Sequence, residues 1–182
     1  MKVIVVTGSP RKDSVSTRIA KRIAAGAQEN GHEVVFYDVN KLSFKGCQSC
    51  YVCKNTGSDC IIKDDLLPYW KDLHECGALI VAAPNYASNI CGPMIIFMNR
   101  HYCLLDKQWR TKLTPGKIKL IGVFAQGAAE RYESAENNYD WYLGDFLNRK
   151  MVLVEKLVAT STTDMSEDGE MLQHAFELGK SL

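Results

Sequence analysis

No sign of charge dominates this chain: 22 lysines and arginines face 21 aspartates and glutamates, leaving a formal net charge of +1. Without a block of like charge, the sequence offers no field for nucleic acid or an anionic membrane, and neither is expected as a partner. Long hydrophobic runs are missing too. The apolar stretch from Ile90 to Met98 is too short to span a bilayer, and Met1-Lys2 with the few apolar residues before Thr7 is too short for a secretion signal, so the expected location is cytoplasmic. There is no internal repeat, no low-complexity tract, and no serine placed with a His and an Asp for hydrolysis. The four histidines, His32, His74, His101 and His174, are scattered and read as satisfied surface or core residues. A length of 182 residues suits one domain, 1–182, with a full core.

Five segments read as strands: Val3 to Thr7, Glu33 to Tyr37, Ala78 to Ala83, Ile118 to Ala125 and Val152 to Ala159. The first and third are nearly continuous apolar runs, which suggests burial on both faces. Helical patterns lie between them. Ile19, Ile23 and Ala27 form one stripe, stopped by Asn30-Gly31, and a second helix starts near Asp65, a candidate cap. Gly92-Pro93 opens a third, Ser134 to Lys150 forms a fourth, and Glu167 to Leu178 a fifth. Alternation of strand and helix predicts an α/β fold, a three-layer doubly wound five-stranded parallel sheet. A phosphate-accepting receiver would need acidic residues ending the first strand and an aspartate ending the third, where this chain has Thr7-Gly8 and Ala83-Pro84.

Ligands collect at the carboxyl ends of such a sheet, so the loops after the strands share one rim. The first loop holds Gly8, Ser9, Pro10 and Arg11, then Ser14, Ser16 and Thr17 at the start of a helix. Backbone N–H groups, the helix dipole, hydroxyls and a guanidinium there suit a phosphate. The spacing is neither Gly-x-Gly-x-x-Gly nor the Gly-Lys-Thr/Ser ending of a P-loop, and a mononucleotide such as FMN fits better. The loop after the third strand reads Pro84-Asn85-Tyr86-Ala87-Ser88-Asn89, and that after the fourth Gln126-Gly127-Ala128-Ala129. An aromatic wall beside small residues is what an isoalloxazine ring needs. Candidate cofactor residues are therefore Ser9, Arg11, Ser14, Ser16 and Thr17 for phosphate, and Pro84, Asn85, Tyr86, Ala87, Asn89, Gln126 and Gly127 for the ring.

These loops, with Met98-Asn99-Arg100, resemble the motifs of the flavodoxin-like NAD(P)H-dependent FMN reductase superfamily over nearly the whole chain. The resemblance implies that the first loop binds FMN phosphate, that the others frame the flavin, that NAD(P)H is a donor, and that the protein is a homodimer or homotetramer. Where that superfamily commonly has Asp-Arg, this chain has Asn99-Arg100.

Seven cysteines in a reducing compartment do not read as a disulfide framework. Cys47-Gln48-Ser49-Cys50-Tyr51-Val52-Cys53, with Cys60 seven residues on, lies in a cysteine-rich insertion after strand two, at about 44–64. Four thiolates so spaced can wrap a [4Fe–4S] cluster, one per iron. They can also hold zinc, or stay as free or reversibly oxidised thiols. The pattern resembles the iron-sulfur flavoprotein branch of the superfamily, in which all four bind one cluster. Cys76, Cys91 and Cys103 read as small buried hydrophobes.

The expected function is an FMN-dependent oxidoreductase or electron-transfer flavoprotein, relaying electrons through a cluster on the flavin's rim to a ferredoxin or another electron carrier. A cluster-free NAD(P)H-dependent reductase of FMN, a quinone or another small-molecule acceptor is the alternative. A noncatalytic redox sensor is a third reading.

Overall fold

The computed structural model describes residues 1–182. In chain order its elements are β1 (Lys2–Thr7), α1 (Val15–Glu29), β2 (Glu33–Asp38), α2 (Val52–Thr56), α3 (Leu67–Glu75), β3 (Cys76–Tyr86), β4 (Asn89–Ile90) and α4 (Gly92–Arg100). A 3-10 turn over His101–Leu104 precedes β5 (Lys119–Ala125), α5 (Glu133–Leu147), β6 (Val152–Ala159) and α6 (Glu170–Lys180). The five long strands are parallel and ordered β2-β1-β3-β5-β6, and the two-residue β4 folds back antiparallel onto the end of β3.

Two-fold alternation along the inner strands explains the layers. Val3 and Val5 of β1, with Ala78, Ile80 and Ala82 of β3, share a core with Ile19, Ile23 and Ala27 of α1 and Leu172 and Ala175 of α6. Ile4 and Val6, with Leu79 and Val81, belong to the larger core on the opposite face, with Tyr69 of α3, Phe97 of α4 and Tyr139 of α5. Every one of these strand residues is fully shielded. Continuous apolar runs are the sequence image of this two-sided burial.

All five expected strands and five expected helices are present, with shifted ends. β3 runs further, from Cys76 to Tyr86, because the chain doubles back at Tyr86 through β4, a hairpin the sequence did not announce. The short α2 within the cysteine segment was also unannounced. Asp65 does not cap α3. Its carboxylate accepts the Ser43 N–H at 2.7 Å, while neighbouring Asp64 accepts the Leu66 N–H at 3.2 Å. α5 ends at Leu147 and α6 begins at Glu170; the residues before α6 are held in a turn by Asp164, which accepts the Ser166 N–H at 2.8 Å. Cys76, Cys91 and Cys103 are buried as expected. No helix is long and apolar enough to cross a membrane.

α1 and α6 pack backbone to backbone through two glycines. A Cβ on Gly179 would lie 2.0 Å from the Ile23 carbonyl oxygen, and one on Gly26 2.0 Å from that of Phe176. Alanine in place of glycine favours a helix by about 1 kcal/mol, whereas overpacking costs about 1–3 kcal/mol and sits at the upper end when the obstacle is backbone. Gly179→Ala is therefore expected to lower stability by about 2 kcal/mol, read as a lower urea midpoint with unchanged slope.

Candidate functional site

Strand order reverses between β1 and β3, and the carboxyl-end loops there enclose a cleft of about 480 Å³. Ser9, Arg11, Ser14 and Ser16 line it from the β1 side; Pro84, Asn85 and Tyr86 from β3; and Gln126 and Gly127 from β5. Nine of the twelve candidate cofactor residues thus meet in one space. Thr17, Ala87 and Asn89 do not line it.

Capping divides the labour in the first loop. Ser14 is the N-cap of α1: its hydroxyl accepts the Thr17 N–H at 3.3 Å and donates to the Thr17 hydroxyl at 2.8 Å, so both side chains serve the helix. The Arg18 N–H is taken by the Ser14 carbonyl, which leaves the N–H groups of Val15 and Ser16 without a partner in the chain. The buried Ser16 hydroxyl has only a long contact, 3.5 Å, to Ser14. Ser9 accepts the Arg11 N–H at 3.2 Å, which folds the loop back and leaves the Arg11 side chain exposed over the cleft. Two free N–H groups, a hydroxyl and a guanidinium thus stand together at a helix start, a position that favours negative charge. Gly8 is required by packing and not by its φ, since a Cβ there would stand 2.2 Å from Met94 Cγ of α4.

The second and third loops are fastened to each other. Asn85 Nδ2 donates to the Tyr139 hydroxyl at 2.9 Å, and Tyr139 donates to Gln126 Oε1 at 3.1 Å. Gln126 Nε2 donates to the Glu130 carbonyl at 2.7 Å, and the Tyr132 hydroxyl reaches Asn85 Oδ1 at 3.4 Å. The Tyr139 ring stacks on Phe124 at 4.4 Å, and burial pushes its hydroxyl pKa up to about 12. Asn85 and Gln126 therefore spend these side-chain atoms on the frame. At the hairpin tip Ala87 and Ser88 have φ of 51° and 64°, a left-handed turn of two non-glycine residues, held where Asn138 Nδ2 donates to the Ser88 carbonyl at 2.6 Å. Tyr86, 49% exposed, stands at the mouth.

A fourth loop was missed. Thr160, Ser161, Thr163 and Met165, after β6, complete the cleft. Thr163 Oγ1 accepts the Thr160 N–H at 2.9 Å, and the Ser161 N–H reaches the Ala128 carbonyl at 3.1 Å, joining this loop to the β5 loop. The signal was available: four consecutive hydroxyl residues follow the last strand, on the rim where ligands collect.

The cysteines form a separate place. Cys47, Cys50, Cys53 and Cys60 line one small pocket of about 20 Å³ with Ile61, Ile62, Tyr102, Cys103 and Arg100. It shares no lining residue with the cleft. The expectation of a common rim is not met, because after β2 the chain runs along α4: Lys45 and Asp64 are tied to Arg100 at that helix's last turn, whereas the cleft adjoins the hairpin before its first. Nine helical residues, about 13 Å, separate the two ends. No disulfide joins any of the seven cysteines, and no three metal-ligating side chains converge as they would around one ion. A tetrahedral zinc site draws its sulfurs to about 2.3 Å from one centre, whereas a cubane spreads them over separate irons. Burial pushes the Cys53 thiol up, against the pull of Lys54 and Lys112.

The Arg of the Asn99-Arg100 pair finds its carboxylate elsewhere in the chain. Arg100 Nη1 donates to Asp64 Oδ2 at 2.5 Å, with the Arg100 side chain fully buried and Asp64 largely so.

A doubly wound sheet with unpaired N–H groups at its first helix start and a cleft at its switch point defines a flavodoxin-like class of protein. The chain belongs to the NADPH-dependent FMN reductase family, whose model matches residues 1–164, and it is an FMN-dependent oxidoreductase. It is 26% identical over 141 residues to an iron-sulfur flavoprotein of Methanosarcina thermophila, covering 78% of this chain and 72% of that one. An iron-sulfur flavoprotein of Methanocaldococcus jannaschii is 27% identical over 155 residues, 85% of this chain and 76% of the other. Among solved structures, an NAD(P)H:quinone oxidoreductase from Methanothermobacter marburgensis superposes with a TM-score of 0.78 at 17% identity, covering 99% of this chain and 98% of that one, a likeness of fold.

Tyr139→Phe removes the hydroxyl that bridges Asn85 and Gln126. Leaving the buried Gln126 and the half-buried Asn85 short of a partner costs about 1–3 kcal/mol, so a clear drop in the urea midpoint is expected, together with weaker flavin retention as the two loops part. An unchanged midpoint would show that the relay does not hold the loops.

Proposed function

We propose that the protein is an electron-transfer flavoprotein which binds FMN in the 480 Å³ cleft and holds a [4Fe–4S] cluster on Cys47, Cys50, Cys53 and Cys60. The observation that carries the second half is the gathering of all four thiols, from a segment spanning fourteen residues, around one pocket that also contains the buried Arg100. The donor set fits the group: four sulfurs for four irons, apolar walls from Ile61 and Ile62, and a cationic N–H donor. The names of the iron-sulfur flavoprotein relatives support the same reading.

FMN, when bound, supplies transfer of an electron pair or of single electrons, and the protein supplies position and electrostatics. The free N–H groups of Val15 and Ser16, the Ser16 and Ser9 hydroxyls and the Arg11 guanidinium hold its phosphate. Pro84 to Tyr86, Gln126 and Gly127 present backbone to the ring, and Tyr86 covers it from the open side. Thr160, Ser161 and Thr163 add hydroxyls along the ribityl chain. NAD(P)H is the donor consistent with the family, and the open mouth beside Tyr86 admits it and a small-molecule acceptor. The cysteine pocket, where Cys47 and Cys50 lie at the surface, faces an external carrier such as a ferredoxin. A homodimer or homotetramer accounts for exposed Trp141 and for Val152, Leu153 and Val154 on the β6 edge.

Iron, acid-labile sulfide and FMN counted on protein purified without oxygen test this assignment. About four irons and four sulfides with one FMN per chain are expected. FMN without iron or sulfide would leave a simple NAD(P)H-dependent reductase. Arg11→Ala is expected to weaken FMN binding by about 1–3 kcal/mol, the scale of a charge-assisted hydrogen bond, measured by fluorescence titration. Unchanged affinity would remove Arg11 from the phosphate site.

A further inference from the structure

Arg100 is the only cationic residue lining the cysteine pocket, and its side chain has no exposure to solvent. Nη1 donates to the Lys45 carbonyl at 2.8 Å and to Asp64 Oδ2 at 2.5 Å, and Nη2 reaches Asp64 Oδ1 at 3.4 Å. Nε has no partner in the chain. A buried N–H left unpaired is costly and rarely retained. Here the orphan belongs to a guanidinium that lines the same small pocket as Cys60 and the three other thiols. Three other donors of the fork are directed to Asp64 and Lys45, which fixes the plane of the group and hence the direction of Nε.

We propose that Arg100 is a positioning residue that gives its free Nε–H to the Cys60 sulfur, and that its charge, balanced against Asp64, sets the reduction potential of the cluster held by the four cysteines. The proposal rests on the cluster reading given above. Reduction adds one electron, and so one negative charge, to a pocket already carrying four thiolates. A fixed cation in a poorly solvated pocket favours the more negative form, and a hydrogen bond to a ligand sulfur does the same. Asp64 holds the guanidinium in place and subtracts from its effect. A purely mechanical role, in which Arg100 only clips Lys45 and Asp64 to the end of α4, predicts no ordered dependence of potential on these two charges.

The test is a redox titration of protein prepared without oxygen, following the cluster by electron paramagnetic resonance and the flavin by absorbance. Iron and sulfide are counted in every sample. Asp64→Asn removes the balancing anion and is expected to favour the reduced cluster about tenfold, an upward shift of about 59 mV for one electron. The double variant Asp64→Asn with Arg100→Met removes both charges without leaving a carboxylate unpaired, and a downward shift of similar size relative to wild type is expected. The flavin potential, set at the far end of α4, stays where it is. Equal cluster potentials in the three proteins at equal iron content overturn the proposal, as do shifts of both variants in one direction, the mark of a general disturbance of the segment. If the double variant loses its iron, the sign of the Asp64→Asn shift decides. Wild-type protein without iron overturns the cluster reading itself, and the metal count shows this before any potential is measured.

Discussion

A parallel sheet buried on both faces leaves its strands no polar outlet except at their ends, and the organisation of this protein follows from that constraint. β1 and β3 are sealed by α1 and α6 on one side and by α3, α4 and α5 on the other. Hydroxyls, amides and the Arg11 guanidinium are thereby confined to the loops, and parallel strands put those loops on one rim. Reversal of strand order beside β1 then splits the neighbouring loops apart and leaves a cleft between them. The cleft is a consequence of topology, and the sequence furnishes it with chemistry.

Within that cleft the polar side chains divide between building the site and lining it. Ser14 and Thr17 finish the end of α1, and Asn85, Tyr139 and Gln126 tie two loops into one frame. What remains for a ligand is largely backbone N–H groups, a few hydroxyls and one guanidinium. Such a site is preorganised, because its donors are fixed by secondary structure and do not have to be ordered when the ligand arrives. The strained turn at Ala87 and Ser88, closed by Asn138, extends the same stiffness to Tyr86 at the entrance.

The cysteine pocket obeys different physics. It lies past the last turn of α4, lined by apolar groups and by one buried cation whose charge is met by Asp64 from the same cysteine-bearing segment. Burying a guanidinium is tolerable only with its partners in good geometry, and the Arg100–Asp64 pair ties the chain just before α3 to the end of α4. The Tyr69 hydroxyl, 2.7 Å from His101 Nε2, continues this bracing one turn deeper. Burial lowers the His101 pKa to about 3 and keeps that ring neutral.

Much of this was legible in the residues themselves. Continuous apolar runs, helical stripes and their alternation suffice for a doubly wound sheet, since burial on two faces leaves no polar residue inside the central strands β1 and β3 before their ends. The first loop and the 84–89 and 126–127 segments were legible for the complementary reason: turn-forming and hydrogen-bonding residues stand out directly after an apolar strand. The hydroxyl run at 160–163 carried the same signal. Which hydroxyl of the first loop is spent on the helix and which is left for a ligand was not legible, because Ser14 and Ser16 both line the cleft and differ only by their place in a helical cap. That Asp64 answers Arg100 across 36 positions, that Tyr139 bridges Asn85 and Gln126, and that the cysteine segment runs along α4 away from the rim were decided only by the tertiary structure. Local sequence determines which backbone conformations are favourable and which faces are apolar. Contacts between distant segments depend on how whole elements pack, and no short stretch of chain encodes that.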